Sequence, residues 1–260
     1  MFRLSLILAA CLLIASSRTA PTYEKRDDDN LSIVQGLLGT DGFWNDYDGG
    51  TNAYVMYTGD GSRDAKWPGQ EAWVSFNELW ITNAHIIARS CDLRYKQPNN
   101  NAQETNDLYD AIKQVAHETR VDHRFIFAAV MQESEGCVRA GSNGDKHGLL
   151  QDYKGAYSCN KDGKVQNPCP KDQIVGMIRD GIAGGTEGNG FAEDINEQSG
   201  KVGHDVAWAY YRASRQYNSG SIDGSDDLEK GGSGKHCYAS DIANRLMGWV
   251  DAASTCTLDG

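Results

Sequence analysis

Beyond its first twenty-one residues the chain has no apolar run long enough to cross a bilayer, so no membrane-spanning helix is expected. It contains no Cys-x-x-Cys pair and no His-x-x-x-His partner, the spacings that zinc sites use, and no metal or other cofactor is expected. Internal repeats, heptads and low-complexity tracts are also missing, which excludes solenoids and coiled coils. Basic residues are the scarcer charge: 25 Lys and Arg stand against 36 Asp and Glu, a formal net charge of -11. A chain this acidic is a poor partner for nucleic acid or anionic lipid. It also lacks the basic surface that would draw it to an anionic cell wall at neutral pH.

What is present begins with "MFRLSLILAACLLIASSRTAP": a basic start, an apolar run and small residues before Pro21. These read as a signal peptide over residues 1–20, followed by a short propeptide, 21–26, that ends in the dibasic pair Lys25-Arg26. Processing there leaves 21 basic and 35 acidic residues, a net -14, and predicts a soluble, secreted, extracellular product, expected as a monomer. Cys11 departs with the leader. The six cysteines that remain, Cys91, Cys137, Cys159, Cys169, Cys237 and Cys256, predict three disulfides in an oxidising export route. Their connectivity is open, although Cys159 and Cys169 flank the loop "NKDGKVQNP" and suit each other as a pair. The sequon Asn30-Leu31-Ser32 allows one glycan on Asn30.

Residues 27–40 read as a mobile arm, and 41–100 as a Trp/Gly-rich segment packing on the domain that follows. "DGG" and "GDGS" break its front half into turns, whereas Trp73, Phe76, Asn77, Trp80, Ile81 and Ala84 come near helical spacing in its back half. Residues 101–260 read as a mainly helical domain with a small hairpin or loop region at its cleft. Helices are predicted in "NDLYDAIKQVAHET", in "VDHRFIFAAVMQES" with Asp122 as N-cap, and in "KDQIVGMIRDGI", "DVAWAYYRASRQY" and "CYASDIANRLMGWVDAA".

Ile126, Ala129, Val130 and Glu133 share one face of the second of these helices, so an apolar stripe leads to a carboxylate. Desolvation there, and the negative end of the helix dipole, both raise a carboxyl pKa. A glutamic acid that keeps its proton can protonate a leaving oxygen, which is what breaking a glycosidic bond requires. Glu135 would lie about 200° round the same helix and face away.

"ESEGCV", then "GLLQ" at residues 148–151, then "RQYNSGS" at 215–221 follow in the order that the goose-type lysozyme and lytic transglycosylase superfamily uses. There a Glu-Ser pair ends a buried helix, a Gly-Leu-Met-Gln-like turn follows, and a Tyr-Asn-x-Gly element closes the cleft. The chain resembles that family over about residues 104–250, with Leu150 in place of the usual Met. Its cysteines and the ending "HCYASDIANRLMGWV" look like a fungal secreted branch described as lysozyme-like. The resemblance implies that Glu133 is the general acid, Ser134 supports the helix end, Gln151 lines the cleft, and Tyr217 with Asn218 holds the reacting sugar or Glu133 itself. It implies cleavage of the β-1,4 link between N-acetylmuramic acid and N-acetylglucosamine in bacterial peptidoglycan, a polysaccharide partner.

A second carboxylate is needed for hydrolysis but not for transglycosylation, where the substrate's own muramic hydroxyl attacks. Asp145, after the Asn143-Gly144 turn, is the first candidate base, and a turn aspartate capping local amides is its plain alternative. Asp152 and Asp205 follow behind it. Trp44 and Trp67 are open between sugar stacking and core, Trp73 and Trp80 are expected in the core, and His147 reads as a loop residue. Two other functions fit the same residues: a chitin- or mannan-cleaving hydrolase, and a secreted sugar-binding protein or effector with an idle acid.

Overall fold

Helix α4, His123–Ser134, is buried at every position from His123 to Met131, as expected of a helix apolar all round and packed on all sides. The computed structural model in which it is seen describes residues 31–35, 49–142, 144–185, 187–203, 205–230 and 234–258. The leader, the Lys25-Arg26 site, Asn30, Trp44 and Asn143 lie outside the described residues. Asp122 caps α4 by accepting the Arg124 N–H at 2.9 Å, and the Arg124 guanidinium returns to the same carboxylate at 2.6 Å.

Around α4 pack α1 (Phe76–Ile87), α3 (Ala102–Thr119) and α8 (Tyr238–Leu246). α2, Ser90–Tyr95, follows α1; α5, Lys171–Ala183, lies on α3; and α6, Phe191–Val202, lies on α7, Val206–Ser219. The strands are two-residue pieces: β1 (Lys146–His147) pairs antiparallel with β2 (Asp152–Tyr153), and β3 (Asn160–Lys161) with β4 (Lys164–Val165). The described protein is mainly helical. None of its helices is long and apolar enough to cross a membrane.

α3 starts four residues before the sequence-predicted segment, because Asn101 and Glu104 form a reciprocal capping box. α8 stops at Leu246, seven residues short, where Gly248 turns the chain at φ 97°. α6 was not expected. Its buried face carries Asp194 and Gln198 among Phe191, Ala192 and Ile195, and those two polar residues hide the apolar stripe.

All six cysteines pair, as Cys91–Cys137, Cys159–Cys169 and Cys237–Cys256, a chemistry that belongs to oxidising surroundings. From residue 49 to Val74 the chain is irregular apart from a short 3-10 turn at Gln70–Ala72, and it lies against α7 and α8. Tyr54 donates to Asp241 at 2.7 Å, the Val55 amide to Asn244 at 2.7 Å, and Trp73 to the Tyr211 hydroxyl at 2.8 Å. Trp67 and Trp73 are buried and Trp80 packs against the core, so Trp67 is core. Residues 31–35, placed in a mobile arm by their sequence, are docked instead: Val34 is fully buried and bonds Thr119 O at 2.8 Å, and Ser32 bonds Glu193 at 2.8 Å.

Candidate active site

α4 ends where Glu135 takes a left-handed conformation, φ 52°, and donates its amide to Met131 O. Glu135 is therefore the cap, not part of the helical wheel, and its carboxylate meets Arg94 at 3.4 Å. Two residues before the cap, Glu133 opens on a cavity of about 350 Å³. α2 contributes Arg94 and Tyr95 to the lining; the loop and hairpin after α4 contribute Gly141, Ser142, Lys146 and Gln151; Gln132, Asn218, Lys235 and Tyr238 complete it.

The Glu133 side chain is held by one strong contact. The Tyr238 hydroxyl donates to Oε1 at 2.6 Å, and the Tyr95 hydroxyl donates to the Glu133 carbonyl at 3.3 Å. The residue as a whole is half-buried because it opens on the cavity, and burial of its carboxyl pushes the pKa up. The Tyr238 hydrogen bond, and then Lys146, Lys235 and Arg94, pull it partway back, and it stays above the ordinary carboxylate range.

The "GLLQ" segment forms a tight turn. Leu149 and Leu150 are fully buried, and a side chain on Gly148, φ 70°, would stand 2.8 Å from Met177. Gln151 lines the cavity while its amide nitrogen donates to Gly141 O at 3.1 Å and Gly148 O at 2.8 Å. Asn218 also lines it, and its Oδ1 is buried with no partner among the described residues. Gly220 is the left-handed cap that ends α7.

Ser134 sits within the helix end, and Tyr217 turns away from Glu133. Ser134 is buried and bonds back to Val130 O at 3.0 Å within the helix end. Tyr217 does not reach Glu133: it stacks on Phe191, with centroids 3.8 Å apart, and donates to Leu150 O at 2.9 Å, so it grips the turn. The contact to Glu133, one of the two roles expected of Tyr217 with Asn218, is made by Tyr238. A tyrosine on the amphipathic ending "CYASDIANRL" was the only available signal.

Asp145 is exposed and lines neither this cavity nor the next; its carbonyl accepts the Lys154 amide at 2.6 Å as part of the hairpin. Asp205 caps α7 through the Trp208 amide at 3.2 Å. His147 lies in β1, buried, with Nδ1 2.8 Å from Ser142 Oγ. Within its own cavity Glu133 is the only carboxylate among the described residues.

A second cavity of about 270 Å³ shares Lys146 and Gln151 with the first, and Asp152, Tyr217 and Asp194 line it. Asp194 is buried and its pKa is pushed up to about 7 by that burial, against hydrogen bonds from Gln216 and Asn189. No group of three or more His, Cys, Asp or Glu among the described residues could hold a metal ion.

Against protein-family models, curated proteins and solved structures, this chain finds no match. Its own geometry has to carry the reading. A desolvated carboxyl, gripped by one hydroxyl and opening on a polar cavity, is suited to giving a proton to a bound oxygen and to being stabilised as the anion that remains.

Proposed function

We propose that the protein is a secreted enzyme that cleaves the β-1,4 link between N-acetylmuramic acid and N-acetylglucosamine in bacterial peptidoglycan, within a lysozyme-like helical domain. Glu133 acts as general acid. The observation that carries this is the Glu133 carboxyl itself, raised by burial, bonded by Tyr238 at 2.6 Å and opening on a cavity beside Gln151 and Asn218.

In the first step Glu133 gives its proton to the glycosidic oxygen, the bond from that oxygen to the anomeric carbon breaks, and positive charge gathers on the sugar ring. The carboxylate left behind is stabilised by the Tyr238 hydroxyl and by the nearby Lys146, Lys235 and Arg94. A hydroxyl then attacks the anomeric carbon and returns its proton to Glu133. That hydroxyl belongs to water in a muramidase and to the muramic acid in a lytic transglycosylase. The absence of a second carboxylate from the lining of the Glu133 cavity, among the described residues, favours the second route, which needs none.

Mass spectrometry of products from purified peptidoglycan, chitin and mannan tests the proposal. Muropeptides are expected, with anhydro ends for transglycosylation or reducing ends for hydrolysis. Chito- or manno-oligosaccharides without muropeptides would replace the substrate. Binding without products from any of the three polymers would replace the enzyme by a sugar-binding protein.

A further inference from the structure

The chain carries a net charge of -11, yet around Glu133 the sign reverses: the cavity lining holds Arg94, Lys146 and Lys235 and no acid but Glu133. Arg94 is engaged with Glu135 at 3.4 Å. Lys146 and Lys235 are exposed and have no carboxylate within ion-pair distance among the described residues; Lys66, Lys96, Lys113, Lys161 and Lys164 are also without one, but only Lys146 and Lys235 among the described lysines line this cavity. In a protein with such an excess of acid, two unpaired ammonium groups lining one cavity need a reason.

Their backbones are held in place. Lys146 opens β1, in register with Tyr153. Lys235 lies on the loop before α8, and the fully buried Arg215 donates to its carbonyl at 2.8 Å and to the Lys230 carbonyl at 3.2 Å. Two residues on, Cys237 is tied to Cys256. A hairpin and an anchored loop therefore bring two cations to one cavity, each close enough to act on Glu133.

We infer that Lys146 and Lys235 together form a receptor for a carboxylate carried on the sugar next to the bond that is cleaved. The nature of the ligand rests on the glycan-cleaving reading above. The receptor selects a carboxylated sugar over a neutral one with the same backbone. It also offsets the repulsion that an acidic protein exerts on an anionic polymer, by concentrating its positive charge where the polymer binds.

The test is binding to the Glu133→Gln variant, which keeps the cavity and cannot protonate the ligand. The probes are a tetrasaccharide of alternating N-acetylglucosamine and N-acetylmuramic acid with free carboxylates, and its dimethyl ester, which has the same sugar backbone without the charges. The free acid is expected to bind about tenfold more tightly at low salt, two exposed ion pairs' worth, with the difference shrinking as salt rises. Adding Lys146→Gln and Lys235→Gln should bring the acid to within about twofold of the ester. Lys161→Gln with Lys164→Gln, exposed residues on the second hairpin, should leave the preference intact and controls for net charge.

Equal binding of acid and ester, a preference that survives loss of both lysines, or no binding of either probe overturns the inference. Failure of the enzyme reading shows separately, as no cleavage of either tetrasaccharide by the unmodified protein.

Discussion

Glu133 and Tyr238 stand 105 positions apart in the chain and meet through a single hydrogen bond of 2.6 Å. Because the hydroxyl donates to the ionised carboxyl, it holds the Glu133 pKa below what burial alone would set. Tyr238→Phe removes that donor, so the Glu133 pKa should rise and the basic limb of the pH–activity profile should move to higher pH. Melting should show a loss of only about 1 kcal/mol. An unmoved basic limb would mean that the bond does not act on the proton donor. Glu133 was legible in the sequence because the stripe Ile126, Ala129, Val130 leads into it. Its partner was not, because periodicity says which residues face inward and not which two inward faces meet. For the same reason the sequence, which left Tyr217 open between the sugar and Glu133, did not show its contacts with Phe191 and Leu150.

Among the elements, α4 sets the position of the acid, and the Cys91–Cys137 disulfide ties α2 to the loop just beyond its end. That bridge closes 46 positions of chain and fixes α2, which carries the cavity-lining Arg94 and Tyr95, to the segment after α4. Replacing both cysteines by serine should cost about 3–4 kcal/mol by chain entropy, measured in denaturant, and should lower activity more than fold content measured by circular dichroism. Unchanged activity would show that the α2 wall is dispensable. Six of the eight α-helices among the described residues, α1 included, were readable from apolar spacing, and Asp122 was readable as a cap. α6 was not, because its buried Asp194 and Gln198 imitate an exposed face, and α2 is too short for a period to show.

The whole molecule joins its acidity to its pH response. Asp194, ordinarily ionised above pH 3.8, keeps its proton in the fold to about pH 7. The unfolded chain releases that proton first, so stability falls as pH rises from about 4 to about 7. Burial moves Glu133 and Asp241 the same way. Glu104 acts oppositely. Burial pushes its pKa up, but the buried Arg139 and the amides of Asn101 and Cys169 outweigh it, so its contribution is present above the ordinary carboxylate range and is lost in stronger acid. Net charge of -11 adds self-repulsion at the upper end. Melting temperature should therefore peak in mild acid, and Asp194→Asn should flatten the decline between pH 4 and pH 7. A melting temperature rising steadily from pH 5 to pH 8 would contradict this balance.

Activity should share that acid preference, since Glu133 must hold its proton to work, and a rate that rises above pH 8 would oppose it. The most direct measurement is muropeptide release from purified peptidoglycan by the unmodified protein and by Glu133→Gln at mildly acidic pH. The amide keeps the shape of the side chain and has no proton to give to a leaving oxygen. Release should fall by about 10²- to 10⁴-fold, with melting temperature at that pH little changed. Release by the glutamine variant at the rate of the unmodified protein would remove Glu133 from the mechanism.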